Sequence, residues 1–224
     1  MLGLQIRQRQ RAVNLALARK FLTVPVANVS DCMSRLFGGG ANLRPMHNGE
    51  SMSGPAFTVK VRPGDNLMIH KALEMALPGD VIVVDGDGDL TNALVGEIMT
   101  SVAKYRKLAG MVIYGAVRDA ATLRKSGFPV FAAGVTHRGP YRDGPGEINT
   151  SIAISGMVIE PGDLIIGDGD GVLCVPYDQA DALYAAATAK GVLETKMLKD
   201  IHSGAYTSPW VDEILARLNC SLDS

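Results

Sequence analysis

The chain has 224 residues, 47% of them apolar and 20% charged, which suits one globular domain with a sizeable core, with or without a helical appendage. With 22 Lys and Arg against 23 Asp and Glu, the net charge of −1 gives no bulk attraction to nucleic acid or to an anionic membrane. No apolar run reaches the roughly 18 residues of a membrane span, and Cys32, Cys174 and Cys220 are too few and too scattered for a disulfide framework or a zinc site, pointing to a reducing, cytoplasmic setting.

The start, MLGLQIRQRQRAVNLALARKF, is basic and acid-free, a pattern shared with organelle transit peptides, but it lacks the apolar core of a secretory signal. An amphipathic first helix over residues 1–24 is the simpler reading, with Leu15, Leu17, Phe21 and Leu22 on its apolar side. Pro25 ends it, and Asn28 or Ser30 is placed to cap a short helix carrying Asp31, Met33 and Leu36. Gly38-Gly39-Gly40 closes that helix. Residues 54–62 read as a strand and 66–76 as a short helix containing His70.

Pro78-Gly79-Asp80 then opens Val81-Ile82-Val83-Val84, four β-branched residues without alternation, hence a strand covered on both faces. A glycine-broken acidic turn, Asp85 to Asp89, leads into a helix over 92–108, whose first free amides fall near Gly96 and Glu97. Met111 to Tyr114 is the next buried strand. It ends in Gly115-Ala116-Val117-Arg118-Asp119, with Asp119 in position to cap a helix over 120–125, and 128–132 is another strand.

The segment 134–150 is long, polar and rich in glycine and proline, the profile of a functional or mobile loop. Strands follow at 151–160, 163–167 and 171–175, then helices from Asp178 to about Ile201 and from Trp210 to Leu218. PGDVIVVDGDGD at 78–89 returns as PGDLIIGDGDGV at 161–172, which suits two similar β-turn-β units in one sandwich better than a solenoid.

The acidic turns fail as calcium loops. Counting from Asp85, position six is Leu90 instead of glycine and position twelve is Gly96 instead of an acid, so most of these carboxylates read as solvated turn residues. Arg118 and Asp119 differ, because a fully apolar strand delivers a cation and an anion together to the mouth of a sheet. There an arginine fork can grip a carboxylate, an aspartate can hold a hard divalent ion, and the amides of Gly96, Glu97, Ile98 and Met99 can meet an anion. An N-cap aspartate and a surface ion pair are the alternative reading of the same two residues.

PGDVIVVDG, ALVGEIM, GAVRD, GFPVFAAG and PGDLIIGDGDGVLCVP, in this order over about Pro25 to Pro176, resemble the family that unites 4-hydroxy-4-methyl-2-oxoglutarate aldolases with the regulator of ribonuclease activity A, the RraA-like family. Its aldolases mark the active site with an acidic residue, twenty residues, then Arg-Asp, and Glu97-X20-Arg118-Asp119 fits, with glutamate where some members carry aspartate.

The resemblance implies an α/β/β sandwich like swivelling domains at 25–177. A helix at 1–24 and a helical extension at 178–224, packed on the same domain, would flank it. It further implies trimers or hexamers with sites near subunit contacts, and a class II pyruvate aldolase acting on 4-hydroxy-4-methyl-2-oxoglutarate or 4-carboxy-4-hydroxy-2-oxoadipate. Asp119 would hold Mg²⁺, or Mn²⁺ in its place, with Glu97 holding bound water and Arg118 stabilising the enolate. Oxaloacetate decarboxylation would follow, since it leaves the same enolate.

His137, Arg138 and Arg142 in the long loop are candidates for a distal carboxylate, and Asp31 for an approach from the N-terminal side. His47, His70 and His202 read as structural. No lysine adjoins Arg118 to suggest a Schiff base, although Lys60 and Lys71 stay open in sequence terms. The competing function within the same resemblance is a non-catalytic inhibitor of a ribonuclease. A third option keeps the enolate chemistry on another oxo-dicarboxylate.

Overall fold

The structure is a computed structural model that describes residues 3–221. In chain order, β1 (Leu4–Ile6) is followed by α1 (Leu15–Phe21) and α2 (Val26–Cys32), then by β2 (Arg44–Pro45), β3 (Met52–Val61), α3 (Leu67–Met75) and β4 (Val81–Asp85). Next come β5 (Ala93–Val95), α4 (Glu97–Tyr105), β6 (Gly110–Val117), α5 (Ala120–Lys125), β7 (Val130–Val135) and β8 (Gly146–Ile148). The strands end with β9 (Ile152–Ile154), β10 (Met157–Ile159), β11 (Leu164–Asp168) and β12 (Gly171–Val175), before α6 (Ala180–His202) and α7 (Pro209–Arg217).

The central sheet runs β1-β8-β3-β4-β6-β7-β2, with β3, β4, β6 and β7 parallel to one another. Alternation along β4 shows why its apolar run has no polar face. Ile82 and Val84 join the core under α3, α4 and α5, while Val81 and Val83 join a second core with β9, β10 and β12. A third cluster gathers α1, α2 and the start of α6 onto β11 and β12. The mixed α/β fold with a central sheet and flanking helices is the expected one.

Several expected elements change. The helix expected over 1–24 is confined to Leu15–Phe21, capped by the Asn14 carboxamide, and Leu4–Ile6 is an edge strand parallel to β8. The next helix starts at Val26, so neither Asn28 nor Ser30 caps it; Pro25 occupies that place, and the carboxylate of Asp168 accepts from the Val26 amide at 2.9 Å. Residues 93–95 are not helical but a strand beside β6, and α4 begins only at Glu97. The strand expected over 151–160 is a hairpin turning at Ser155-Gly156.

The chain divides into two compact units, Met1–Ala187 and Thr188–Ser224. The second exposes Val192, Leu193, Met197, Leu198 and Ile201 on α6 and Trp210 on α7. Among the described residues no helix is long and apolar enough to cross a membrane, and all three cysteines are free thiols.

Candidate active site

Strand β6 delivers Arg118 and Asp119 to the sheet's edge beside β5 and the start of α4. Register does this: Val95 pairs with Val117, and the Arg118 amide donates to the Val95 carbonyl at 3.0 Å. Asp119 then takes a left-handed conformation (φ 59°), one that aspartate tolerates better than most residues. Its side chain makes no cap on α5. Instead Oδ2 accepts from the Glu97 amide at 2.9 Å, so the carboxylate caps α4, twenty-two residues upstream. This corrects the expected role of Asp119 as the cap of its own helix, and it gives the α4 N-terminus the negative charge its dipole favours.

Gly96 is required for that approach. A Cβ there would stand 2.5 Å from Asp119 Oδ2 and 2.8 Å from Arg118 Cγ. Arg118 Nε and Asp119 Oδ2 are 3.8 Å apart, and the two side chains keep 41% and 40% of their exposure, so both remain within reach of a ligand. The Glu97 side chain, on the first turn of α4, is exposed. Its amide is given to Asp119, so of the four amides expected to meet an anion that of Glu97 is already engaged.

A cavity of about 60 Å³ opens against this corner, room for a few waters or a single carboxylate group. Gly96, Ile98, Met99 and Arg118 line it; Glu97 and Asp119 stand beside it without lining it. Sequence reasoning missed two of its walls, Asn66 and His70, and named a third, Arg142, only within a group of loop residues. The signal was available: Asn66 is the N-cap of α3 and His70 lies four residues on, the spacing of one helix face. Burial, then the nearby Arg142 guanidinium, hold the His70 imidazole below its ordinary 6.5, opposed by Glu74. His137 and Arg138 do not line the cavity, though the Arg138 carbonyl accepts from the Ala93 amide.

The long segment is tied down. Pro63-Gly64-Asp65 is a third Pro-Gly-Asp turn, and the fully buried Asp65 carboxylate accepts from the amides of Asp143 (2.7 Å) and Gly144 (2.9 Å). Tyr141 N donates to the Gly64 carbonyl and Asn66 N to the Tyr141 carbonyl, so Arg142 is pinned on both sides.

The remaining candidates lie elsewhere. Asp31, on α2, pairs with Arg35 at 2.8 Å. His47 is buried with both ring nitrogens on backbone groups of Val130 and Glu50, a structural role. Lys60 reaches Asp85 at 4.0 Å and Lys71 pairs with Glu74, and neither lines the cavity. Asp85 is buried instead of solvated, which raises its carboxyl pKa, and its Oδ1 accepts from the Asp87 amide.

Residues 26–174 match the RraA-like family, described as Aldolase/RraA. A relative from Halalkalibacterium halodurans, named "Putative 4-hydroxy-4-methyl-2-oxoglutarate aldolase", is 39% identical over 171 residues, 76% of this chain and 81% of its own. A solved structure of an uncharacterized protein from Pseudomonas syringae superposes with a TM-score of 0.78 at 26% identity, over 87% of this chain and 96% of that one. The RNA-processing inhibitor RraA from Thermus thermophilis gives 0.63 at 28% identity, over 68% and 92%. The chain belongs to the Aldolase/RraA family.

Proposed function

We propose that this chain is a divalent-metal-dependent carbon–carbon lyase. It cleaves 4-hydroxy-4-methyl-2-oxoglutarate or 4-carboxy-4-hydroxy-2-oxoadipate to pyruvate and decarboxylates oxaloacetate. The observation that carries the reading is the corner where Arg118 and Asp119 meet the α4 N-terminus across Gly96, at the mouth of a small cavity. The named relative from Halalkalibacterium halodurans supports it.

The donor set suits a hard ion. Asp119 and Glu97 offer carboxylate oxygens, and no group of three or more His, Cys, Asp and Glu side chains gathers as a metal cage among the described residues. Such a site matches Mg²⁺ or Mn²⁺, which take few protein ligands and keep water, better than zinc. When bound at Asp119, the ion supplies Lewis acidity toward the 2-oxo group.

The chain's own groups do the rest. The Arg118 guanidinium forks the carboxylate and keto oxygens of the 2-oxo acid. As the C3–C4 bond breaks, its electron pair becomes the C2=C3 bond of the enolate, the carbonyl π pair moves onto the C2 oxygen, and Arg118 stabilises the charge that develops there. For an aldol substrate the C4 hydroxyl proton leaves through water to Glu97, a carboxylate beside the site; for oxaloacetate, C4 leaves as carbon dioxide. Protonation at C3 by water gives pyruvate in both cases.

Assembly into trimers or hexamers belongs to this reading, and the exposed Ile98, Val102 and Tyr105 along one side of α4 support it. A second reading, a ribonuclease-binding inhibitor, is favoured by the likeness to the Thermus RraA structure, and a pull-down with the host's degradative ribonuclease tests it.

Pyruvate release from oxaloacetate and from 4-hydroxy-4-methyl-2-oxoglutarate, with and without Mg²⁺ or Mn²⁺, tests the lyase. Arg118→Ala should lower kcat by about 10²–10³-fold, and Asp119→Asn should abolish the metal response. Full turnover in excess EDTA overturns the metal assignment, and wild-type turnover in Arg118→Ala overturns the site.

A further inference from the structure

The opposite end of the sheet carries a larger concavity, of about 390 Å³, beside the starts of β3, β4 and β6. Leu15, Ala18 and Leu22, on and just after α1, form one wall, and Pro78 and Ala109 form the other. Ala109 directly precedes β6, so a strand of eight residues, about 25 Å of chain, separates this groove from Arg118. The walls are pinned. The buried Ser53 hydroxyl donates to the Ala18 carbonyl at 2.7 Å, the Gly79 amide to the Lys107 carbonyl at 2.8 Å and the Ala109 amide to the Asp80 carbonyl at 2.8 Å. A mostly apolar pocket of this size with a few polar groups has the make-up of a small-molecule site. Leu15 and Leu22 stay exposed in it, apolar surface that a ligand would take from water.

Its charge is one-sided. Arg19 and Lys107 line the groove, and no carboxylate does. Neither side chain has a hydrogen-bond or ion-pair partner among the described residues. Nearby cations are all engaged: Lys20 lies over the Tyr184 ring, Lys104 donates to the Ser126 carbonyl, and Arg106 donates to the carbonyls of Glu74 and Ala76. Lys107 also sits where its residue type is disfavoured. Its φ is 59°, and the bonds from Lys107 N to Lys104 O and from Leu108 N to Ala103 O close α4 in the pattern that usually places glycine there. Lys104 and Arg106 already give the α4 C-terminus the positive charge its dipole favours. The helix end therefore does not call for this lysine, whereas an anion in the groove would.

We infer that this groove binds a small amphipathic carboxylate, its apolar body on Leu15 and Leu22 and its charge on Arg19 and Lys107, at a site separate from the catalytic corner. The inference does not depend on the lyase reading. A fully polar acid would leave the leucines wet, and a neutral apolar compound would leave both cations unpaired. A second copy of the chain laid isologously on this face would set cation against cation.

Benzoate is the probe, titrated by calorimetry into the full chain in Tris-chloride buffer. Acetate, which keeps the charge, and benzyl alcohol, which keeps the ring, should each bind about tenfold more weakly or worse. Arg19→Gln and Lys107→Asn should each weaken benzoate about three- to tenfold, and the double variant should lose it. Asparagine is chosen because it accepts the left-handed backbone without the charge. Leu22→Ser should weaken benzoate about threefold and Arg118→Ala not at all. All variants are checked by circular dichroism and urea unfolding. The inference is overturned if the wild type does not bind benzoate, if acetate or benzyl alcohol binds equally well, or if the double variant keeps wild-type affinity. Loss of benzoate in Arg118→Ala alone also overturns it, by placing the probe in the catalytic corner. A changed oligomeric state of the double variant in sedimentation, with no benzoate binding by the wild type, overturns it in favour of a contact between copies.

Discussion

The segments 78–89 and 161–172 share most of their letters, and the chain folds both starts alike. In each, the aspartate of Pro-Gly-Asp accepts from the amide three residues back, Leu77 N to Asp80 at 2.8 Å and Glu160 N to Asp163 at 3.0 Å. Each middle glycine has a positive φ, +90° at Gly79 and +92° at Gly162. Each strand closes with an aspartate that accepts from the amide two residues on, Asp85 from Asp87 and Asp168 from Asp170.

Their surroundings then diverge. β4 lies between β3 and β6, parallel to both and next to the strand that delivers Arg118 and Asp119, whereas β11 lies antiparallel between β3 and β12 and its terminal aspartate caps α2. The N-terminal arm treats the two turns unequally. Arg9 reaches Asp80 at 2.8 Å with side chains 12% and 2% exposed, while Arg11 approaches Asp163 only to 3.8 Å and keeps 44% of its exposure. Local sequence sets the turn; burial and partners set how much the turn matters.

Substitution can break that parallel. Asp80→Ala leaves the Arg9 guanidinium buried without its anion and should cost about 3–5 kcal/mol, measured by urea unfolding. Asp163→Ala loses a weak pair to an exposed arginine and orphans the amides of Glu160 and Tyr177, for about 1–2 kcal/mol. Equal losses would show that the turns, not their arginines, carry the energy.

The glycines should separate in the opposite sense. Both alanine variants strain a positive φ, but a Cβ at Gly162 would meet the backbone carbonyl of Arg11 whereas one at Gly79 meets only the movable end of Leu15. Gly162→Ala should cost about 2–4 kcal/mol and Gly79→Ala about 1–2. At the strand ends the effects shrink. Asp168→Ala removes the cap of α2, worth about 1 kcal/mol.

Asp85→Asn gives the smallest effect, visible as a pH dependence. Burial raises the Asp85 carboxyl above its ordinary 3.8, against the Asp87 amide and Lys60. The folded state therefore keeps this proton where the unfolded chain has lost it. The resulting stability is complete below 3.8 and disappears as pH rises through the raised value. Wild type should lose stability relative to Asp85→Asn across that window and hold a constant difference above it. A difference that does not move with pH would deny the burial.

What the sequence discloses follows the same division between local and distant causes. The apolar runs of β4 and β6, the Pro-Gly-Asp turns and the helices α6 and α7 are written in neighbouring residues. β5 is not, because Ala93-Leu94-Val95 carries a pattern equally suited to the first turn of a helix, and only pairing with β6 decides it. β1 is hidden for the same reason, its partner β8 lying some 140 residues away. At the candidate site, the juxtaposition of Arg118 and Asp119 is adjacent in the chain and readable. That the Asp119 carboxylate turns back to Glu97 depends on a left-handed backbone and on the bare surface of Gly96, neither of which spacing reveals. His70 entered the cavity through a helix face that was readable but had no charge partner in sequence to mark it.

The left-handed backbone at Asp119 makes structure and charge separable at this one position. Asparagine has the same shape, accepts αL as readily, and its carboxamide oxygen can still receive the Glu97 amide. Glutamate is one methylene too long for the 2.9 Å contact, and alanine loses the cap and strains the turn. An Asp119→Asn protein therefore keeps the scaffold of the corner with its negative charge erased. It would serve as a ready-made blank for titrating in ions or substrates, so that whatever binding it lacks can be charged to electrostatics alone.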